Sequence, residues 1–101
     1  GVLMTFGPDP RKNPQAAPIV KVLKEKGYDP AGYTLYSYGA VQIVAEAIKM
    51  AGAADSAKAI PIMLKTNFKT VLGDISFNAK GDLTAPAFTI YRWHNGQYEE
   101  R

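Results

Sequence analysis

The chain contains no cysteine. That excludes disulfides, thiolate metal sites and a cysteine nucleophile. It leaves the compartment open, because exported proteins often lack cysteine too. No apolar run approaches the ~20 residues of a membrane-spanning helix, and no signal-peptide pattern is present. Phosphate loops are missing as well: there is neither a G-x-G-x-x-G nor a Walker pattern. Lys and Arg are scattered, so the formal charge of +3 forms no basic stripe of the kind nucleic acid demands. The one histidine, His94, precedes the turn dipeptide Asn95-Gly96. Nothing suggests a pocket or an orienting partner for it, so it reads as an exposed turn residue rather than a base. Glu99 and Glu100 fall in the tail, and Ser37 has no base at a readable position. Asp74, Ser76, Asn78 and Asp82 faintly resemble a calcium loop. However, Gly81 is the eighth residue from Asp74, where a glycine is needed at the sixth, and no glutamate stands at the twelfth. The expectation is a protein that is not an enzyme, with no cofactor and no metal.

What is present is organised around the stretch from Gly32 to Gly52. From about Ser37 it reads as a helix, capped by that serine and stopped by Gly52. Its polar residues recur at Gln42, Glu46 and Lys49, spacings that place all three on one narrow stripe. Ala40, Val41, Ile43, Val44, Ala47, Ile48 and Met50 cover the remaining perimeter. A helix facing one core needs an apolar arc of about 100° or somewhat more. This one has considerably more, which predicts burial on two sides. Three aromatics, Tyr33, Tyr36 and Tyr38, stand at its entrance. Each pairs an apolar face with a hydroxyl and suits a core edge or a pocket rim. The free N–H groups and positive dipole end of a helix entrance favour an anionic group there.

The flanking sequence supplies less. Gly1 to Phe6 reads as a buried strand ended by Gly7-Pro8-Asp9-Pro10. A helix follows over about Gln15 to Lys26, with Ile19, Val20, Val22 and Leu23 inward. Pro18 is acceptable only in its first turn, and Gly27 closes it. A third helix, Ser56 to about Lys65, is capped by Asp55 or Ser56 and turns Ile60, Met63 and Leu64 inward, with Pro61 awkwardly inside. Phe68 to Phe77 alternates as a single strand, with Val71, Gly73, Ile75 and Phe77 on one face. Phe88 to Trp93 is another strand, with Phe88 and Ile90 opposing Tyr91 and Trp93. Asn95-Gly96 then signals a tight hairpin. With 101 residues, 47% of them hydrophobic, the chain allows one domain with a modest core. It offers too few strands to cover its central helix. The opening at Gly1, straight into an apolar run, fits a piece of a longer polypeptide.

These segments carry a resemblance. Gly1-Val-Leu-Met-Thr-Phe-Gly, then Tyr28-Asp29-Pro30 to Gln42, Gly73-Asp74-Ile75-Ser76-Phe77 with Lys80-Gly81-Asp82, and Tyr91-Arg92-Trp93-His94 follow in order, nearly end to end. Together they resemble the C-terminal third of the leucine/isoleucine/valine-binding type of periplasmic receptor, the type I solute-binding proteins of ABC transporters. The resemblance implies two α/β lobes joined by three crossing strands that close on a small ligand. The fold class expected is α/β: a partial type I periplasmic-binding-protein lobe, three helices with few strands plus a C-terminal β-hairpin. Residues 1–85 would be the second half of the first ligand-binding lobe, including an entering hinge strand. Residues 86–101 would be the hinge crossing, around Pro86 to Phe88, and the C-terminal hairpin of the second lobe.

By the same resemblance, Tyr33 stands where the family packs an aromatic ring on the ligand's side chain, and Tyr36 is a second ligand-binding candidate on spacing. The groups that clamp the ligand's charged ends lie outside this chain. The implied role is capture of a small amino acid, or a related aromatic or organic acid, in the periplasm for ABC-transporter uptake, with the permease as partner. The same fold used as a ligand sensor or regulatory receptor is an alternative reading. A module that pairs its open sheet edge with another copy is a third. The isolated piece is expected to self-associate or swap segments, because its central helix is short of partners.

Overall fold

The computed structural model describes residues 1–85 and 88–101. The order is strand β1 (Leu3–Phe6), two short 3-10 turns (Pro10–Lys12 and Pro14–Ala16), helices α1 (Ala17–Glu25), α2 (Thr34–Ala51) and α3 (Ser56–Met63), strands β2 (Phe68–Thr70) and β3 (Gly73–Ile75), then β4 (Thr89–His94) and β5 (Gln97–Glu100). Strands β1, β4 and β5 form one antiparallel sheet with β4 in the middle, and β2–β3 form a separate two-stranded hairpin.

The central helix is 18 residues long and begins a turn earlier than its sequence suggested. Ser37 lies inside it, exposed, and Tyr33 occupies the N-cap with no side-chain capping bond. The turn from Gly27 to Gly32 feeds the helix directly, with Gly32 at φ 65°. The predicted C-terminal stop holds: Gly52 sits at φ 74°, a left-handed value that glycine adopts without a Cβ penalty, and its N–H closes on the Ile48 carbonyl.

One face of α2 is dry and the opposite face is bare. Leu35, Gly39, Ile43 and Ala47 are buried. Ile43 and Ala47 form one core with Ala59 and Phe68, and Leu35 joins Ala16 and Val71 in a second. Burial on two sides is not what the described residues provide. Val41 is 68% exposed and Val44 49%, on a strip that continues over Ala45 toward Ile48. The apolar perimeter is wider than the partners at hand.

Four further expectations change. The single strand over Phe68 to Phe77 is a hairpin, because the chain reverses between Thr70 and Gly73. Gly73 takes φ 94°, while the Thr70 hydroxyl donates to the Gly73 carbonyl and accepts from the Leu72 N–H. Helix α3 buries Ala59 and half-buries Met63, whereas Ile60 (52% exposed) and Leu64 face outward. Asp55 is its cap, accepting from the Ala57 N–H at 2.9 Å. Strand β1 forms as predicted but is not buried: Leu3 is exposed, and Met4 and Phe6 are half-buried. In α1, Pro18 does lie in the first turn, and Val22 is exposed beside half-buried Ile19, Val20 and Leu23.

The C-terminal hairpin forms as read. Asn95 (φ 51°) and Gly96 (φ 75°) make the two-residue turn that twists with its strands. In β4, Tyr91 is buried while Ile90 is exposed, as is Phe88 just before the strand; Trp93, two residues beyond Tyr91, is 38% exposed at the end of the hairpin. The crossing expected around Pro86 to Phe88 falls partly outside the described residues, since Pro86 and Ala87 are not among them.

The shape is a thin plate, 49 × 32 × 19 Å, with a radius of gyration of 15.7 Å, against about 13 Å for a compact 100-residue domain. Among the described residues, no helix packs broadly on the three-stranded sheet. The chain exposes 7004 Å², whereas a monomer of its mass normally exposes about 5,600 Å².

Candidate functional site

The entrance of α2 and the end of β1 meet in an aromatic cluster. The Phe6 ring stands edge-on to Tyr33 at 5.1 Å and perpendicular to Tyr36 at 6.2 Å, spacings at which ring quadrupoles attract. Phe6 therefore brings together the two residues that the sequence singled out. Their surroundings differ. Tyr33 is 71% exposed on the outer wall, whereas Tyr36 turns inward and donates its hydroxyl to the Pro8 carbonyl. Tyr38 lies two residues further on, away from this cluster.

Behind Tyr36 lies a cleft of about 380 Å³, bounded by Pro8, Ala40, Ile43, Leu72 and Phe77, with Asp74 and Ser76 among its polar edges. Its volume sits at the lower end of small-molecule sites. Tyr36 lines it and Tyr33 does not.

The loop beside the cleft is held by a charged fork. Asp9 caps the first 3-10 turn through the Arg11 N–H and takes two further bonds from the Arg11 guanidinium, Nε to Oδ1 at 3.0 Å and Nη2 to Oδ2 at 2.8 Å. Nη1 of Arg11 reaches Asp29 at 3.0 Å, and Nη2 also donates to the Tyr98 hydroxyl at 3.4 Å. The bond from Arg11 holds the Asp9 carboxyl below the usual carboxylate value, against some opposition from burial. The same bond is the main reason that Arg11 is pushed further up. Burial, helped by Tyr91 and Asp9, raises the Tyr36 hydroxyl above its ordinary value, and burial, helped by Asp9 and Glu100, raises that of Tyr91. Both are neutral donors at working pH. The Tyr91 hydroxyl uses its proton on the Gly7 carbonyl at 2.9 Å.

Other residues weighed in the sequence have local duties. Asn78 accepts the N–H groups of Lys80 and Asp82 and organises a turn, with the Lys80 ammonium 3.9 Å from Asp82. Among the described residues, no His, Asp and Glu cluster is placed to hold a metal ion. His94 is exposed and pairs across the hairpin with Gln97. Spacing gave no hint of Phe6 or Tyr91, because each acts on a residue far away in the chain; Arg11 grips Asp9 two residues away but also reaches the distant Asp29 and Tyr98.

No protein-family model matches the chain. Its relatives are informative. The Leu/Ile/Val-binding protein homolog 1 of Brucella suis biovar 1 (strain 1330) is 50% identical over 97 residues, which is 95% of this chain and 26% of that protein. Over nearly its whole length the chain is similar to one part of the Leu/Ile/Val-binding proteins.

It spans about a quarter of the length of the curated relatives it matches. An amino acid binding protein of Pseudomonas aeruginosa PAO1 is 42% identical over 101 residues, 99% of this chain and 27% of that one. Among solved structures, the leucine-binding protein LivK of Thermotoga maritima MSB8 superposes with a TM-score of 0.82 at 31% identity, over all of this chain and 30% of its own. The fold is a partial α/β lobe of the Leu/Ile/Val-binding type. That accounts for the bare face of α2 and the excess surface: the layers a whole lobe stacks on such a helix are not among these residues.

Proposed function

We propose that this chain is part of a solute-binding receptor that captures a small amino acid outside the cytoplasm for ABC-transporter uptake. Residues 1–85 form the later part of one ligand-binding lobe with an entering hinge strand, and residues 86–101 lead into the hairpin of the other lobe. The observation that carries this reading is the 50% identity to a Leu/Ile/Val-binding protein homolog across nearly the whole chain.

Tyr33 supplies the wall against which the ligand's side chain packs. Its support is its position at the mouth of α2, with an exposed ring steadied by Phe6. Tyr36 contributes from behind, fixing the Pro8 backbone on the cleft side. Ligand binding shifts an open–closed equilibrium by its preference for the closed form, and the closed form engages the permease. No covalent chemistry is involved.

The test is calorimetry with L-leucine on the intact receptor. Saturable binding is expected, and Tyr33→Ala is expected to weaken it more than tenfold, about 1.4 kcal/mol or more. Unchanged affinity in the variant removes Tyr33 from the site, and no binding of L-leucine or other small amino acids removes the proposal.

A further inference from the structure

The helical part, together with the β2–β3 hairpin, and the three-stranded sheet meet at a narrow waist. Strand β1 belongs to the sheet, and the chain leaves it for the helical part through Gly7, Pro8 and Asp9. Among the described residues, the packing that joins the two bodies is narrow, with Phe6 of β1 against Tyr33 and Tyr36 at the entrance of α2, so the contacts at that passage bear on their relative angle. Two hydrogen bonds cross it from the sheet side. The Tyr91 hydroxyl, on a side chain only 1% exposed, donates to the Gly7 carbonyl at 2.9 Å. The Tyr98 hydroxyl accepts from Arg11 Nη2 at 3.4 Å. Tyr98 is braced edge-on by Tyr91 at 5.4 Å and by Trp93 at 5.1 Å. Arg11 is braced by Asp9 and Asp29, both on the helical side. From that same side, Tyr36 donates to the Pro8 carbonyl.

We infer that Arg11, Tyr91 and Tyr98 are positioning residues that set the angle between the helical body and the three-stranded sheet. The backbone of Gly7 to Asp9 is held from both sides by side chains rather than by a sheet ladder. Each bond is short-range and directional, so losing it frees rotation at the passage without emptying either core. Arg11 suits the role because its planar fork grips Asp9 and still offers an N–H outward to Tyr98, which a lysine ammonium cannot do with the same geometry. In the proposed receptor, on which the functional meaning of this inference rests, that angle is the opening of the cleft.

The absence of cysteine makes the test clean. Spin labels are placed by Lys58→Cys on α3 and Glu99→Cys on β5, both exposed, and their separation is read by pulsed electron resonance with no ligand on the intact receptor, any cysteine outside these 101 residues being replaced by serine. The parent is expected to give one narrow distance distribution. In Tyr98→Phe and in Tyr91→Phe, which keep their rings, it is expected to roughly double in width or shift as the waist loosens. Lys21→Ala, an exposed change on α1 away from the passage, is expected to leave it unchanged. Circular dichroism confirms that each variant is folded. Should Tyr91→Phe fail to fold, Tyr98→Phe and Arg11→Lys decide the question. Distributions identical to the parent in these folded variants overturn the inference. Because no ligand is present, that result is distinct from a failure to bind L-leucine.

Discussion

Gln42→Leu tests how the β2–β3 hairpin is tied to the central helix. The Gln42 Oε1 accepts the backbone N–H of Val71 at 2.9 Å. Val71 is 2% exposed and sits at the turn between β2 and β3, inside the core it shares with Leu35 and Ala16. Leucine keeps the bulk and the helix propensity of the position but strands that N–H. A buried donor left without a partner costs about 1–3 kcal/mol, and the added apolar contact offsets part of this, for a net loss of about 1–2 kcal/mol. In a domain of this size each kcal/mol moves the midpoint by about 4–8 °C, so a fall of about 4–16 °C is expected in a thermal melt followed by circular dichroism. Gln42→Glu preserves the acceptor and is expected to recover most of the loss, less the few tenths of a kcal/mol from facing Glu46 one turn away. If the Leu and Glu variants melt together near the parent, the hydrogen bond does not hold the hairpin and the reasoning fails.

Gly39→Ala would ordinarily stabilise a helix interior by about 1 kcal/mol. Here a Cβ would lie 2.8 Å from Cγ and Cδ1 of Leu72, so a lower melting point is expected, and the penalty should vanish in a Leu72→Ala background; a gain in the wild-type background would contradict the packing. Asp9 is held below its free value by Arg11, so below about pH 4 the unfolded chain binds more protons than the folded one and stability falls with pH. Asp9→Asn should flatten that limb in acid titrations of stability, and an unaltered slope would show that Asp9 is not responsible. Finally, the isolated chain is expected to self-associate through the bare strip of α2. Light scattering should give a multiple of the chain mass, reverting to one copy in the Val41→Lys, Ile48→Lys double variant. A monomeric parent would show that the strip tolerates water.

Much of the local structure was legible because its causes are local. Gly52, Asp55, Asn95-Gly96 and the placement of Pro18 act within a few residues, where backbone sterics and capping decide. Readings failed where two conformations satisfy the same pattern. The alternation from Phe68 to Phe77 fits a strand, yet a hairpin needs only one glycine at positive φ, and Gly73 supplies it. Ser37 is a good cap in isolation, but Tyr28 hydrogen-bonds to Thr34 at 3.0 Å across the preceding turn, and the helix begins at Thr34. Of the candidate site, the place before an apolar helix marked Tyr33, Tyr36 and Tyr38 alike, and only the family resemblance singled out Tyr33 and Tyr36 as candidates. The Phe6 ring that joins these two could not be named, nor could the reach of Arg11 to Asp29 and Tyr98, since these partners lie far away in the chain.

By itself the sequence determined that one helix is too apolar for the polypeptide around it, because that follows from counting side chains on a helical wheel. Only the tertiary structure decided which arc of that helix is dry, through Leu35, Gly39, Ile43 and Ala47, and which lies open at Val41 and Val44. Periodicity measures how much surface must be hidden, whereas the direction in which it is hidden depends on contacts between residues far apart in the chain.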